Sequence, residues 1–248
     1  MPMTRTVVMA MLVAAAAANA NAQTQPPPAN LGFVNISFGT QPASRDANVN
    51  ESFALYGETA TFATAQEIGS GALFDITGGY RIRPAFGASV GFTNFSNTSG
   101  STVNTSIPNP LVFDQPLAAS ASIPDLTHSE RSIHLSAVWF LPVNDKIDVA
   151  LSFGPTFIMV SQDMVSSISV PAGTQTANPV VTTEKETGVG VNIGFDGTYL
   201  VTRNFGAGLF LRYAGAKVDL GSDAAGEPLV DGQSVGGFQF GVGVRMRF

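Results

Sequence analysis

His134 and Ser136 are the residues whose types and spacing come nearest to a reactive centre. They stand two apart in Ser132-Ile133-His134-Leu135-Ser136, and residues i and i+2 of a strand project from one face. A serine hydroxyl beside an imidazole base is the core of a nucleophilic centre, provided a third group orients the base. Glu130 shares their phase but lies four residues along the strand, beyond direct contact, and no other third group is evident. The tripeptide His128-Ser129-Glu130 puts neighbours on opposite faces and is expected to be solvated. There is no cysteine, so thiol catalysis and Cys-based zinc sites are excluded. The acidic residues Asp219, Asp223, Glu227 and Asp231 lack calcium-loop spacing and are expected to do no more than solvate. No metal and no cofactor is expected, and the net charge of −6 argues against nucleic acid as a partner.

These side chains have to be positioned by strands. Residues 234–248 alternate strictly: Phe238, Phe240, Val242, Val244, Met246 and Phe248 point one way. Gln239, Gly241, Gly243, Arg245 and Arg247 point the other. The same two-residue period recurs in 187–201, 205–213, 147–161, 132–141, 86–92 and 74–82. The first strand is the least regular. Val34, Ile36 and Phe38 alternate, but Phe33 falls on the polar side.

That makes eight strands. The connections around Arg83-Pro84, Pro142 to Lys146 and Thr202 to Asn204 are short. Those at roughly 41–68, 98–129, 163–185 and 220–233 are long and polar, and the two kinds alternate. Antiparallel neighbours deliver successive connections to opposite ends, so one end carries tight turns and the other large loops. Apolar side chains at every second position, with glycine and charge between them, suit a wall with lipid outside and a polar interior. Tyr80, Phe86, Trp139, Tyr199, Phe205 and Phe248 lie on the apolar face near a short turn or the terminus, as an interfacial girdle requires. Phe74, Phe92, Phe157, Tyr213 and Phe238 form a second set further along the strands.

The start of the chain has its own character. Arg5, an apolar run from Val7 to Ala18 and Ala20-Asn21-Ala22 have the parts of a secretory signal peptide, so 1–22 is expected to be cleaved. Residues 23–30, with Pro26-Pro27-Pro28, are a short tether, and 31–248 form the barrel domain.

With signal peptide, eight alternating strands, four long loops and a terminal aromatic, the chain resembles the small bacterial outer-membrane β-barrels of the opacity and OmpA types. The resemblance implies an all-β, eight-stranded antiparallel up-and-down transmembrane barrel with short periplasmic turns and four long extracellular loops. It implies that Phe240, Val242, Val244, Met246 and Phe248, after Phe238, are the signal read by the barrel-assembly machinery. Outer-membrane lipid and lipopolysaccharide are the other partners it implies. The His-x-Ser pair is similar to that of an outer-membrane lipid A deacylase family. That site must face lipid, whereas His134 and Ser136 share phase with the lumen.

Inside such a barrel, Asp75, Arg81, Arg83, His134, Asp148, Asp196, Arg212, Arg245 and Arg247 are expected to form a paired charge network closing the lumen. Asp196 and Arg212, on neighbouring strands, are expected to pair. The apolar stretch Ile107-Pro108-Asn109-Pro110-Leu111-Val112-Phe113 is expected to fold as a flap over the mouth, or else to capture a hydrophobic ligand. Pro155 falls inside a strand and predicts a bulge or break there. The function expected is a non-enzymatic outer-membrane barrel with loops for contact or binding. A small-solute or hydrophobic-compound conduit is the alternative, and a lipid A-modifying enzyme comes third. What the loops bind is left open.

Overall fold

The computed structural model describes residues 31–248 except 43–44, 175, 177 and 223–225. The expected signal peptide and tether lie outside the described residues. Ten strands follow one another: β1 (Gly32–Gln41), β2 (Arg45–Leu55), β3 (Glu58–Ile68), β4 (Gly71–Arg83), β5 (Phe86–Ile107), β6 (Leu117–Pro142), β7 (Ile147–Ser169), β8 (Asn178–Leu200), β9 (Phe205–Leu220) and β10 (Val230–Arg247). Eight of them close a ring. β1 pairs with β4, β4 with β5, and each later strand with the next until β10 returns to β1, all antiparallel. Where β1 meets β10, Gly32 and Phe248 exchange two backbone hydrogen bonds of 2.7 and 2.9 Å. This is an eight-stranded up-and-down barrel.

The alternation decides what faces where. On β10, Phe240, Val242 and Val244 are exposed on the outer wall and Met246 is half-buried there, while Arg245 and Arg247 are buried inside. Tyr80, Phe86, Tyr199 and Phe205 ring the outside at the short-turn end, and Trp139, half-buried, stacks on Phe86 with centroids 6.2 Å apart. An apolar outer wall with a polar interior is the arrangement of a bilayer-spanning barrel and the reverse of a soluble one.

The three short connections are turns as expected, but the long ones are not loops. About ten residues of tilted strand cross a bilayer. β5, β6, β7 and β8 are 22, 26, 23 and 23 residues long, so their far halves project well beyond it. Above the ends of β1 and β4, the hairpin β2–β3 joins the wall by pairing β3 with β5 (Thr61↔Ser106 to Gln66↔Ser101). The projecting strands form a head with its own apolar core: Val49, Phe62, Ile158, Val160, Met164, Val218, Leu220 and Val235. Thr, Ser and Asn at alternate positions made these segments look like loops. They are strands whose outer face meets water, where polar residues belong.

Two irregularities have local causes. Phe33 turns inward and is buried, because Gly79 on β4 leaves open the space that its ring fills. Of the bulge or break expected at Pro155, the structure has a break in one ladder and no bulge. Its pairing to β8 runs on through Pro155↔Val191. Towards β6 the register is kept, but the two pairs between His134↔Thr156 and Ala137↔Phe153 are skipped. Proline has no N–H for that ladder.

Candidate functional site: a packed lumen beneath the head

Inward-facing side chains fill the ring in layers. At the base Phe33 meets Phe140 edge-on at 5.7 Å, and the Arg81 guanidinium lies 3.9 Å over the Phe140 ring. Arg81 pairs with Asp148 at 2.8 Å. Arg247 donates to Asn35 (2.9 Å) and Thr198 (3.1 Å) and faces the Phe33 ring. Aromatic rings here do what a carboxylate does elsewhere, holding guanidinium groups by their π faces.

One layer up, Arg245 donates from Nη2 and Nε to the two oxygens of Asp196 at 2.7 and 3.2 Å, and from Nη1 to Ser37 at 2.8 Å. To reach β8 from β10 it has to cross β9, and it does so over Gly208. A Cβ there would sit 2.7 Å from Arg245 Nε. The expected Asp196–Arg212 pair does not form. Across β8–β9, Asp196 stands opposite Phe210 and Arg212 opposite Gly194. Arg212 instead spans the lumen to Asp75 on β4 and to Thr93 on β5. Arg83 also departs from expectation. The register shifts between Arg81 and Arg83 at the turn, and Arg83 is exposed outside the lumen.

His134 is buried in the Asp75 layer. Thr93 gives its single hydroxyl proton to Asp75 (2.8 Å), so towards His134 Nε2, 3.0 Å away, it accepts. His134 Nδ1 lies 2.8 Å from the Thr156 hydroxyl. Ser136 donates to Asn192 Oδ1 (2.9 Å), and the Asn192 amide donates to the carbonyls of Gly154 and Pro155 at 3.0 Å each. That amide bridges the β6–β7 stretch where the ladder lapses. Both members of the His-x-Ser pair are thus engaged with other partners. A cavity of about 50 Å³, room for a few waters, lies among Asn35, Asp75, His134, Ser136, Asp196 and Arg247.

Above this comes a node that the sequence did not reveal. Glu130 is buried, and its two oxygens accept from Arg45 Nη2 (2.8 Å), His128 Nε2 (2.9 Å), Gln41 Nε2 (3.0 Å) and the Gly236 amide (3.1 Å). His128, fully buried, also meets Gln162 at 3.1 Å, and Gln239 donates to Gln41 at 2.8 Å. The expectation that His128 and Glu130 are solvated is overturned. At i and i+2 they share the inner face, and β6 runs through both of them instead of ending in a loop. Arg45 sits on β2, whose sequence carries no strong strand period, and Gln41 is the last residue of β1, where a loop is expected to begin. Among the described residues no group of acidic, histidine or cysteine side chains is placed to hold a metal ion.

At the far end of the head, the β5–β6 tip does not fold over the mouth. Leu111, Val112 and Phe113 are exposed, at 91%, 45% and 77%. The flap is absent because the hairpin stays paired as far as Ile107↔Leu117 and carries the tip away from the barrel.

Neither a protein-family model nor a curated relative matches the sequence. Among solved structures, outer membrane protein OprG from Pseudomonas aeruginosa is 11% identical over 91% of this chain and 99% of that one, with a TM-score of 0.48. Neisserial surface protein A is 15% identical over 88% and 97%, at 0.46. The outer membrane protease OmpT from Escherichia coli is 10% identical over 91% and 99%, at 0.43. These are similarities of shape, and the architecture stated above rests on the strand pairing itself.

Proposed function

We propose that this chain is an integral protein of a bacterial outer membrane, without enzymatic activity, in which a closed barrel anchors a head for contact or binding on the cell surface. The observation that carries the reading is the contrast between the two halves. The ring is filled by three ion pairs, Arg81–Asp148, Arg212–Asp75 and Arg245–Asp196, with hydrogen-bonded amides and aromatic rings around a cavity of about 50 Å³. The strands β5 to β8 that rise into the head are about twice as long as anchoring demands. Short turns are periplasmic in barrels of this kind, which puts the head outside. Lipid and lipopolysaccharide surround the wall, and the assembly machinery is engaged through Phe240, Val242, Val244 and Met246 on β10 and Phe248 just beyond its end.

Three measurements test this. The folded protein should fractionate with outer membranes and migrate faster on gels unheated than boiled. In planar bilayers it should give no stable conductance steps, whereas steady open steps would favour the conduit. Overexpression should leave lipid A masses unchanged. A mass shift lost in Ser136→Ala would establish the enzyme instead.

A further inference from the structure

The β5–β6 tip is apolar, exposed and hydrogen-bonded at both ends, and acidic residues flank it. Leu111 N bonds Asn109 Oδ1 at 2.9 Å, with Pro108 and Pro110 on either side of the asparagine. The Asp114 amide bonds the Glu58 carboxylate on β3 at 2.6 Å. Asp114 adopts φ 58° and Tyr56, in the neighbouring β2–β3 turn, φ 55°. Non-glycine residues adopt such values where their surroundings impose them. The Tyr56 hydroxyl in turn accepts from Gly173 N (3.0 Å) and reaches the carbonyls of Pro171 and Thr174 in the β7–β8 connection. Three tips are therefore tied together, and the finger 111–113 stands out from them with its two ends hydrogen-bonded. A surface already ordered loses little entropy on binding.

Charge selects the partner. Of the eighteen acidic residues, thirteen lie in 45–68, 97–129, 162–188 and 216–234, against three of the twelve basic ones. Asp114 directly follows the finger, and the Glu58 carboxylate is bonded to its amide. A second copy of this head, or an anionic lipid surface, would be repelled. An oily finger set among carboxylates complements a molecule with an apolar face beside a cationic one. We propose that the finger Leu111-Val112-Phe113, with Glu58 and Asp114, is a docking site for cationic amphipathic peptides. Leu111 and Phe113 bury against the peptide's apolar face, and the carboxylates meet its lysines or arginines. This rests on the surface-exposed head proposed above and supplies its ligand class.

The test uses the whole protein in nanodiscs of zwitterionic lipid, with empty discs as background. The probes are a labelled amphipathic helix of Leu and Lys, its counterpart of Leu and Glu, and oligolysine. Fluorescence anisotropy should show the Leu/Lys peptide binding at least about tenfold more tightly than either other probe, weakening as salt rises. Leu111→Ser/Phe113→Ser should lose about tenfold or more, and Asp114→Asn several-fold, while gel mobility shows both variants folded. Undiminished binding by the double variant overturns the proposal, and so does equal binding of oligolysine or of the Leu/Glu peptide. Binding to empty discs alone would assign the affinity to lipid, and self-association of loaded discs would make a second copy the occupant. If the protein failed to enter discs or to show heat-modifiable mobility, the membrane reading itself would fall. A correctly inserted barrel that ignores the peptide would overturn only this inference.

Discussion

Arg245 has no exposed surface, and both oxygens of Asp196 are turned towards it. Truncating one partner of such a pair costs more than the pair adds to stability, because Asp196, four-fifths out of solvent, would keep only the Thr198 hydroxyl as a partner. Arg245→Ala should therefore lower the unfolding free energy of the barrel in lipid vesicles by about 3–5 kcal/mol, read from the urea midpoint at unchanged slope. Arg245→Ala/Asp196→Ala should cost much less than the sum of the two single changes, since it removes the orphan along with its partner. A single variant within about 0.5 kcal/mol of wild type would mean that water relieves Asp196 and that the lumen is wetter than its packing implies. Eight of the nine expected network residues stand beside a counter-charge or a cation–π partner, or, for His134, between two threonines. Partner choice was out of reach. It depends on which glycine, here Gly208, lets a long side chain cross a neighbouring strand, and no period in a sequence carries that.

Asn192 decides whether β6 and β7 stay joined where proline breaks their ladder. Its amide serves the Gly154 and Pro155 carbonyls, and its oxygen holds Ser136. Asn192→Ala leaves two buried acceptors without their donor, at about 1–3 kcal/mol. Asn192→Asp should be worse, since it places an anion against both carbonyls. Hydrogen exchange should quicken at the amides of Leu135 and Ser136 in either variant, while the β7–β8 amides around Val191 keep their protection. Equal protection at both would show that the backbone carries the junction unaided. At this scale the eight ring strands were plain from apolar alternation, because lipid demands it on one face. β2, β3 and the far halves of β5 to β8 were hidden for the converse reason. Their outer face meets water and their inner face mixes Val49, Phe62 and Val218 with Gln66 and Thr64, so no strong period survives.

Across the whole molecule the ring and the head have separate sources of stability, and this has a direct consequence. The ring closes through β1–β10 and β1–β4 without help from β2–β3, and its interior is crossed by the ion pairs of Arg81, Arg212 and Arg245. The head is held by an apolar core to which β2–β3 contributes Val49 and Phe62, and by the hook of Arg45 onto Glu130. Replacing residues 45–68 with a short Gly/Ser turn should thus leave a barrel that inserts and still runs faster unheated than boiled. It should also strip Ile158, Val160 and Met164 of their facing partners. Proteinase K added to intact cells should then cut within 97–129 and 163–185 at enzyme levels that leave the wild type whole, with a protected fragment matching the ring. Loss of insertion in that variant would show that the head is needed to assemble the barrel and is more than its cargo. Unchanged resistance would show that β5 to β8 hold one another upright through their own pairing.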